Sequence, residues 1–400
     1  MKLLLVTPHF YPETFKCNDM AFELARRGHD VTVMTAIPDY PEGHFHRGYG
    51  VLRRRRERVN GVSVHRSLLI SRHNGTAPWL ALNYLSYTFF AFFKALWFGL
   101  TRRYDAVIVH ETSPVMVGIP AVIVKKMQRI PLHFWVLDLW PESLTAAGGI
   151  TSPLVLKPFE RLTRWIYDNS DTILIGSEGF RTPIVSKKQT YASRVRPFPN
   201  WLDPAVCETE SAIRLPEGKF NVVFAGNLGD AQDIPAVLEA IRLLRDDPRV
   251  HFTFVGGGRK RQLAESFIRE HRLSGCVTFI DRVPRTEIGS ILRQASAQLL
   301  TLKESPIFRL TVPARLQAYM QAGRPVIAMI NGEAARLIDD AQCGWSVAAG
   351  DSQALASLIA EKASATAAEL DALGANGRAY ATAHYDFSTC IDNLESILRS

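Results

Sequence analysis

Short apolar runs recur along the chain, each followed by a loop and then by a stretch with helical spacing. Residues 2–7 (KLLLVT) form the first run, 9–18 read as a loop, 19–27 as a helix, and 31–35 (VTVMT) as the next run after the turn GHD at 28–30. An unbroken apolar run bounded by turn residues is the pattern of a strand buried on both faces, and a helix between two such runs predicts a parallel pair. Further strands are expected at 62–69, 106–110, 132–137 and 172–176, with helical stretches between several of them. The alternation restarts at 220–225. Helices follow at 234–245, 262–272 and 285–295, and strands at 251–255, 277–280, 298–302, 325–330 and 345–348. The polar, proline-containing stretch 199–217 has no clear period and marks a boundary. The pattern therefore predicts an α/β protein of two Rossmann-like domains, 1–200 and 201–385, with a last helix at 387–399. Doubly wound sheets hold ligands at the carboxyl ends of their strands, so a central cleft is the expected site.

Length and composition fit this reading. Four hundred residues suit two domains, and 47% apolar with 22% charged residues excludes a disordered chain. The five cysteines, Cys17, Cys207, Cys276, Cys343 and Cys390, are scattered without metal-ligand spacing, which points to a reducing compartment and to no zinc site or disulfide framework. The opening MKLLLVTPHF is not expected to be a signal peptide, because its apolar run is short and a proline follows. Charge is lopsided: residues 1–200 carry 26 Lys and Arg against 15 Asp and Glu, whereas the remainder carries 21 against 24. Only the first half favours an anionic surface. The arginine run 53–56 lacks interleaved stacking aromatics, so nucleic acid is not an expected partner.

One segment stands out. Residues 79–100 (WLALNYLSYTFFAFFKALWFGL) are long enough to span a bilayer, with Lys94 as their only charge. The flanking strands at 62–69 and 106–110 should share one sheet, which a crossing would forbid. A buried core helix is the plainer alternative. The density of aromatics, with arginines on both sides, favours a helix lying in the membrane interface, each basic neighbour adding roughly 1 kcal/mol near anionic lipid.

Candidate chemistry gathers at the predicted strand ends. In FAGNLGDAQD (224–233) a strand feeds a helix; Gly226 and Gly229 allow a tight turn through which backbone N–H groups can meet a phosphate, with Asn227 and Gln232 beside them. The spacing is not a dinucleotide fingerprint. No Asp-x-Asp offers a metal bridge, so positive charge to meet a phosphate would come from Lys303, Arg309 and Arg315, around Thr311 and the TVP turn. Glu333, in NGE after a strand, is a candidate ligand for sugar or other hydroxyls, as is Glu304. LDLWPES puts Asp138 and Glu142 at the end of a first-domain strand, where a carboxylate can orient or deprotonate an acceptor hydroxyl. His9, Tyr11, Glu13 and Lys16 line the first loop on the acceptor side, and His110 and Glu111 end another strand.

Seven segments occur in one order: TPHFYPE (7–13), ELARRGHDVTVMTAIPDYPEG (23–43), LDLWPESL (137–144), PNWLD (199–203), FAGNLGDAQD (224–233), TVPARLQAYMQAGRPVIA (311–328) and NGE (331–333). Together the chain resembles glycosyltransferase family 4, and within it the WbuB-like, fucosamine-transferase-like group of O-antigen, capsule and exopolysaccharide assembly. That resemblance implies a GT-B fold whose C-terminal helix, 386–400, crosses back to the first domain. It also implies retaining transfer from a nucleotide-diphosphate sugar, expected to be UDP-linked and to carry an N-acetylated or deoxy amino sugar. The acceptor would be a polyprenyl-diphosphate-linked saccharide at the cytoplasmic face of the membrane, reached without metal or other cofactor.

The chain departs from the family pattern in places. The two glutamates of the family's E-x7-E signature fall on Leu310 and Ala318, Arg315 replaces a lysine, and Asn227 and Gln232 stand where many members have a basic pair. The first loop, with Phe15 and Lys16, is bulkier than the family's small-residue loop. A sugar-nucleotide 2-epimerase and a non-catalytic sugar-nucleotide or lipid-binding subunit are the alternative readings. The apolar segment argues against the first, and the lost glutamates favour the second.

Overall fold

The apolar runs form two sheets. In the first unit the strands are β1 (Lys2–Val6), β2 (Asp30–Ala36), β3 (Arg56–Val59), β4 (Val62–Ser67), β5 (Ala106–Glu111), β6 (Leu132–Val136), β7 (Thr172–Ile175) and β8 (Val195–Pro197), in the order β3-β4-β2-β1-β5-β6-β7-β8. Every pairing is parallel except β3 with β4. The second unit has β9 (Phe220–Ala225), β10 (Val250–Val255), β11 (Val277–Ile280), β12 (Ala297–Thr301), β13 (Val326–Met329) and β14 (Gly344–Val347), all parallel, ordered β11-β10-β9-β12-β13-β14. This computed structural model describes residues 1–203, 206 and 209–399; Cys207 and part of the expected boundary stretch lie outside them. The first unit spans Met1–Pro199 and takes in the terminal segment from Ile391, and the second runs Asn200–Cys390.

Burial explains the continuous apolar runs. On β9, Phe220, Val222 and Phe224 pack into one core with Phe252 and Phe254, while Val223 and Ala225 pack on the opposite face with Val255 and Leu300. Both faces are covered, so no polar alternation survives. Strand order reverses direction at β1/β5 and at β9/β12. Loops leave those neighbours toward opposite sides, and such switch points are where open parallel sheets take ligands.

Several boundaries differ from the expected ones, and one long helix was not expected. The first helix begins at Lys16 rather than at 19, and the helix expected at 285–295 is Ile288–Arg293. A long helix, Ala367–Tyr385, occupies a stretch without a marked apolar face. It reaches the core because Gly374 meets the backbone of Gly323 so closely that a side chain there would collide with the Gly323 carbonyl.

The apolar segment is the helix Ala77–Thr101. One face is buried through Asn83, Tyr87, Ala91, Ala95 and Phe98, and the Tyr87 hydroxyl donates to the Thr7 carbonyl at 3.2 Å. The opposite face leaves Leu82, Leu85, Phe89, Phe93, Trp97 and Leu100 exposed, Phe89 by 58%. Their three- and four-residue spacing makes one stripe along the helix. Among the described residues no helix is long and apolar enough to cross a membrane. The last helix, Phe387–Arg399, meets the first unit where Arg27 pairs with Asp392 and with Glu395 (2.9 Å), and where His29 lies 2.6 Å from Glu395.

Candidate active site

In the second unit, strand β9 ends on Phe224-Ala225-Gly226. Gly226 has φ +138°, a conformation that L side chains rarely adopt, and a methyl on it would stand 2.7 Å from Nη2 of Arg315. Arg315 lies in the first turn of the helix Ala314–Ala322, its Cζ 4.4 Å from the centroid of the Phe224 ring. One turn on, Tyr319 is fully buried, and its hydroxyl oxygen accepts the Ala225 N–H at 2.9 Å. Positions i and i+4 share a helix face, so Tyr319 fixes the helix on the strand end and holds Arg315 over it. Among the described residues the half-buried Arg315 guanidinium has no carboxylate or hydrogen-bond partner. A guanidinium held on an aromatic face at a helix N-terminus is arranged to receive an anion.

The other expected donor residues divide. Asn227 and the Lys303 side chain are exposed, and the Lys303 N–H donates to Ala231 O at 2.8 Å. Gln232 closes the turn: its Oε1 accepts the Gly229 N–H at 3.1 Å, and its carbonyl accepts the Thr301 hydroxyl at 2.6 Å. The Gly229 N–H is thus already engaged. Arg309 pairs with Glu304 at 2.5 Å, and Glu304 also accepts from Asn331. Thr311 donates to Phe308 O at 3.0 Å, and Glu333 pairs with Arg336 at 2.7 Å. Of the cations expected on this segment, Arg315 faces the strand end unpaired, whereas Arg309 is neutralised by its neighbour.

In the first unit the carboxyl ends of β1, β2, β4, β5 and β6 bring together a buried polar network. His9 Nδ1 lies 2.8 Å from Glu13 Oε2, and Glu13 Oε1 accepts the N–H groups of Asp39 (2.9 Å) and Tyr40 (2.8 Å). Arg72 Nη2 stands 3.2 Å from His9 Nε2. A guanidinium can only donate, so Nε2 accepts and Nδ1 donates to Glu13. Asp39 in turn accepts from the Arg72 N–H and from Asn83 of the apolar helix, each at 2.9 Å. His9 stacks on Phe15, ring centroids 4.8 Å apart, so the bulky loop residue braces the histidine. Tyr11 is exposed and offers its carbonyl to Arg66 at 2.8 Å, and Lys16 opens the first helix.

Asp138 and Glu142 do not form a pair. Glu142 Oε1 accepts from Lys187 at 2.7 Å in an ion pair that includes Glu160. The carboxyl beside Asp138 is Glu111, because the parallel register sets Glu111 opposite Val136. Glu111 is fully buried; its Oε2 accepts the N–H groups of Leu137 and Asp138 at 3.2 Å each, and Oε1 has no partner. Burial, with Asp138 adding repulsion, pushes the Glu111 pKa well above the usual carboxylate value. Burial also raises Asp138, opposed by the hydrogen bond from Ser143. Burial pulls His110 down to about 3 and His133 to about 4. At this edge Asp138 is the less buried of two carboxyls, and hydrogen bonds favour its ionised form against its burial. Asp39, Arg72 and Asn83 escaped the sequence reading; each lies in a separate loop or helix. Among the described residues no three His, Cys, Asp or Glu side chains could together hold a metal ion.

Two family models match the chain: a glycosyl transferase 4-like domain over residues 16–201 and glycosyl transferases group 1 over 219–363. The probable glycosyltransferase WbjE of Pseudomonas aeruginosa is 30% identical over 277 residues, covering 65% of this chain and 66% of its own length. The putative colanic acid biosynthesis glycosyl transferase WcaI of Escherichia coli K12 is 24% identical over 323 residues, 76% of this chain and 77% of its own. Among solved structures, HepE of Anabaena in complex with UDP superposes with a TM-score of 0.70 at 16% identity, covering both chains fully.

Proposed function

The chain belongs to the family-4-like glycosyltransferases with the GT-B fold, and from that premise we propose that it transfers a sugar from a UDP-sugar, with retention, to a lipid-linked saccharide in surface polysaccharide assembly. The observation that carries the donor half is the unpaired Arg315 guanidinium, held over Phe224 and against Gly226 at the end of β9. A departing nucleoside diphosphate gains negative charge as the glycosidic bond breaks, and a preorganised cation there stabilises the transition state more than the ground state. Lys303, exposed just after β12, adds a second charge. On the acceptor side Asp138 orients the attacking hydroxyl and assists its deprotonation, while Glu13 and Arg72 hold His9 in one tautomer to meet the acceptor. UDP bound to HepE and the colanic acid name of WcaI support the donor and pathway class. The exposed apolar stripe of Ala77–Thr101 supports docking on the cytoplasmic membrane face, where such acceptors sit. The test is thermal stabilisation of the purified chain across a panel of UDP, GDP and ADP: UDP should raise the melting temperature most. A protein indifferent to all three would contradict the donor assignment.

A further inference from the structure

Glu111 is a carboxyl that the proposed reaction leaves without a task. It is fully buried, and among the described residues no Lys, Arg or His pairs with it. Burying a carboxyl away from any cation raises its pKa and works against folding. An apolar residue would fill the same space without that cost, so packing does not account for a glutamate here. Its hydrogen bonds do. Strand β5 ends at Glu111, opposite Val136, the last residue of β6. Beyond Val136 the chain has no β5 strand left beside it, and its N–H groups need another acceptor. The Glu111 side chain supplies one: Oε2 takes the N–H groups of both Leu137 and Asp138 at 3.2 Å. One carboxyl oxygen thus stands in for a missing length of strand and fixes two successive residues where β6 gives way to the loop.

The Asp138 side chain is held separately. The Ser143 hydroxyl donates to its Oδ1, and the Ser143 N–H donates to the Leu139 carbonyl at 2.8 Å, closing that turn of chain. Ser113, two residues beyond Glu111, has φ +96°, a conformation that L side chains rarely adopt, and its side chain also favours the Asp138 anion. The backbone of Asp138 therefore depends on Glu111, and its carboxylate on the two serines. We propose that Glu111 is a positioning residue for glycosyl transfer, holding the Asp138 backbone so that its carboxylate meets the acceptor hydroxyl. The inference rests on the reading of Asp138 as the acceptor-side carboxylate and adds what sets its place. Reacting groups tolerate little displacement: an error of about 1 Å can cost about 10²-fold in rate. Glu111 Oε1 has no partner, so one oxygen does the holding, and an amide oxygen could take over the same two N–H groups.

The test is a double-mutant cycle on UDP release by the full chain from UDP-N-acetylglucosamine or UDP-N-acetylgalactosamine, whichever wild type turns over faster, with the melting temperature of every variant recorded. Glu111→Met keeps the length of the side chain and removes the acceptor. Its kcat should fall about ten-fold or more while KM for the UDP-sugar stays within about two-fold. Glu111→Gln should keep kcat within about three-fold of wild type, since its amide oxygen still accepts. Placed on Asp138→Asn, Glu111→Met should slow the enzyme no further, because the group it positions is already disabled. A glutamate that only supports the fold gives a different pattern. Glu111→Met would then lower the melting temperature with kcat per folded molecule unchanged, or slow both backgrounds equally, and either result overturns the positioning role. Glu111→Ala, which also removes the acceptor, replaces Glu111→Met if that variant does not fold. Slow Asp138→Asn beside normal Glu111→Met strikes the Glu111 role alone, whereas wild-type turnover in Asp138→Asn strikes the Asp138 reading and this inference with it.

Discussion

The guanidinium of Arg315 stacks 4.4 Å from the ring centroid of Phe224, on the strand end whose next N–H is held by Tyr319. Phe224 therefore does two things: on β9 it packs into the core with Phe254, and its ring also supports the charge proposed to meet the donor. Core packing and the candidate site are one construction at this point, and changes on either side should be felt by both.

Gly226→Ala tests that coupling. The substitution forces an L side chain to φ +138° and brings its methyl to 2.7 Å from the Arg315 Nη2, so backbone strain of about 1–3 kcal/mol is joined by displacement of the guanidinium. Chemical denaturation should show a loss of that order, and UDP should stabilise the variant less than wild type. A variant of normal stability with normal UDP response would mean that the close approach is dispensable.

Asp138→Asn keeps the shape and removes the base. Turnover should fall about 10²-fold or more while UDP-induced stabilisation persists. Because burial raises the Asp138 pKa, the acidic limb of the pH–rate profile should lie above the ordinary carboxylate value. Ser143→Ala removes a hydrogen bond that favours the anion, so that limb should move further up in pH. A limb that stays put in Ser143→Ala would take the proton-accepting role away from Asp138.

Glu111 should cost the fold stability at neutral pH. Its folded pKa is raised, so the native state keeps a proton that the unfolded chain releases. The stability this contributes is complete below the unfolded value of 4.5 and drains as pH rises toward the folded pKa. Glu111→Gln does not titrate. It should therefore be more stable than wild type at pH 8 by urea denaturation, with the difference shrinking as pH falls toward 4.5. A variant less stable at pH 8 than at pH 4, relative to wild type, would show that Glu111 is ionised and paired.

What the residues disclosed depended on how local each signal was. Buried strands announced themselves because both faces of β1 or β9 are covered, leaving runs such as KLLLV and FNVVFA. Strand β3 stayed hidden because RERV is a charged edge strand with no apolar face, and β8 is three residues long. The helix Ala367–Tyr385 contains Gly374 and Gly377, which read as breakers in sequence but allow close packing in the fold. At the site, Arg315 was visible beside its TVP turn. The neighbour of Asp138 was not: Glu111 was legible only as the end of another strand, and strand register sets it beside Asp138. The same holds for Asp39, Arg72 and Asn83 around His9, which only the gathered strand ends and the apolar helix bring together.

The most direct measurement of the central claim, that Arg315 stabilises the leaving diphosphate, is single-turnover transfer from a UDP-sugar by Arg315→Ala. The rate should fall about 10²-fold or more, the scale of losing one preorganised charge partner, with the melting temperature of the ligand-free protein unchanged and EDTA without effect on wild type. Arg315→Lys should recover part of the rate, since a point charge replaces the fork. Wild-type turnover in Arg315→Ala, or wild-type activity abolished by EDTA, would contradict the account.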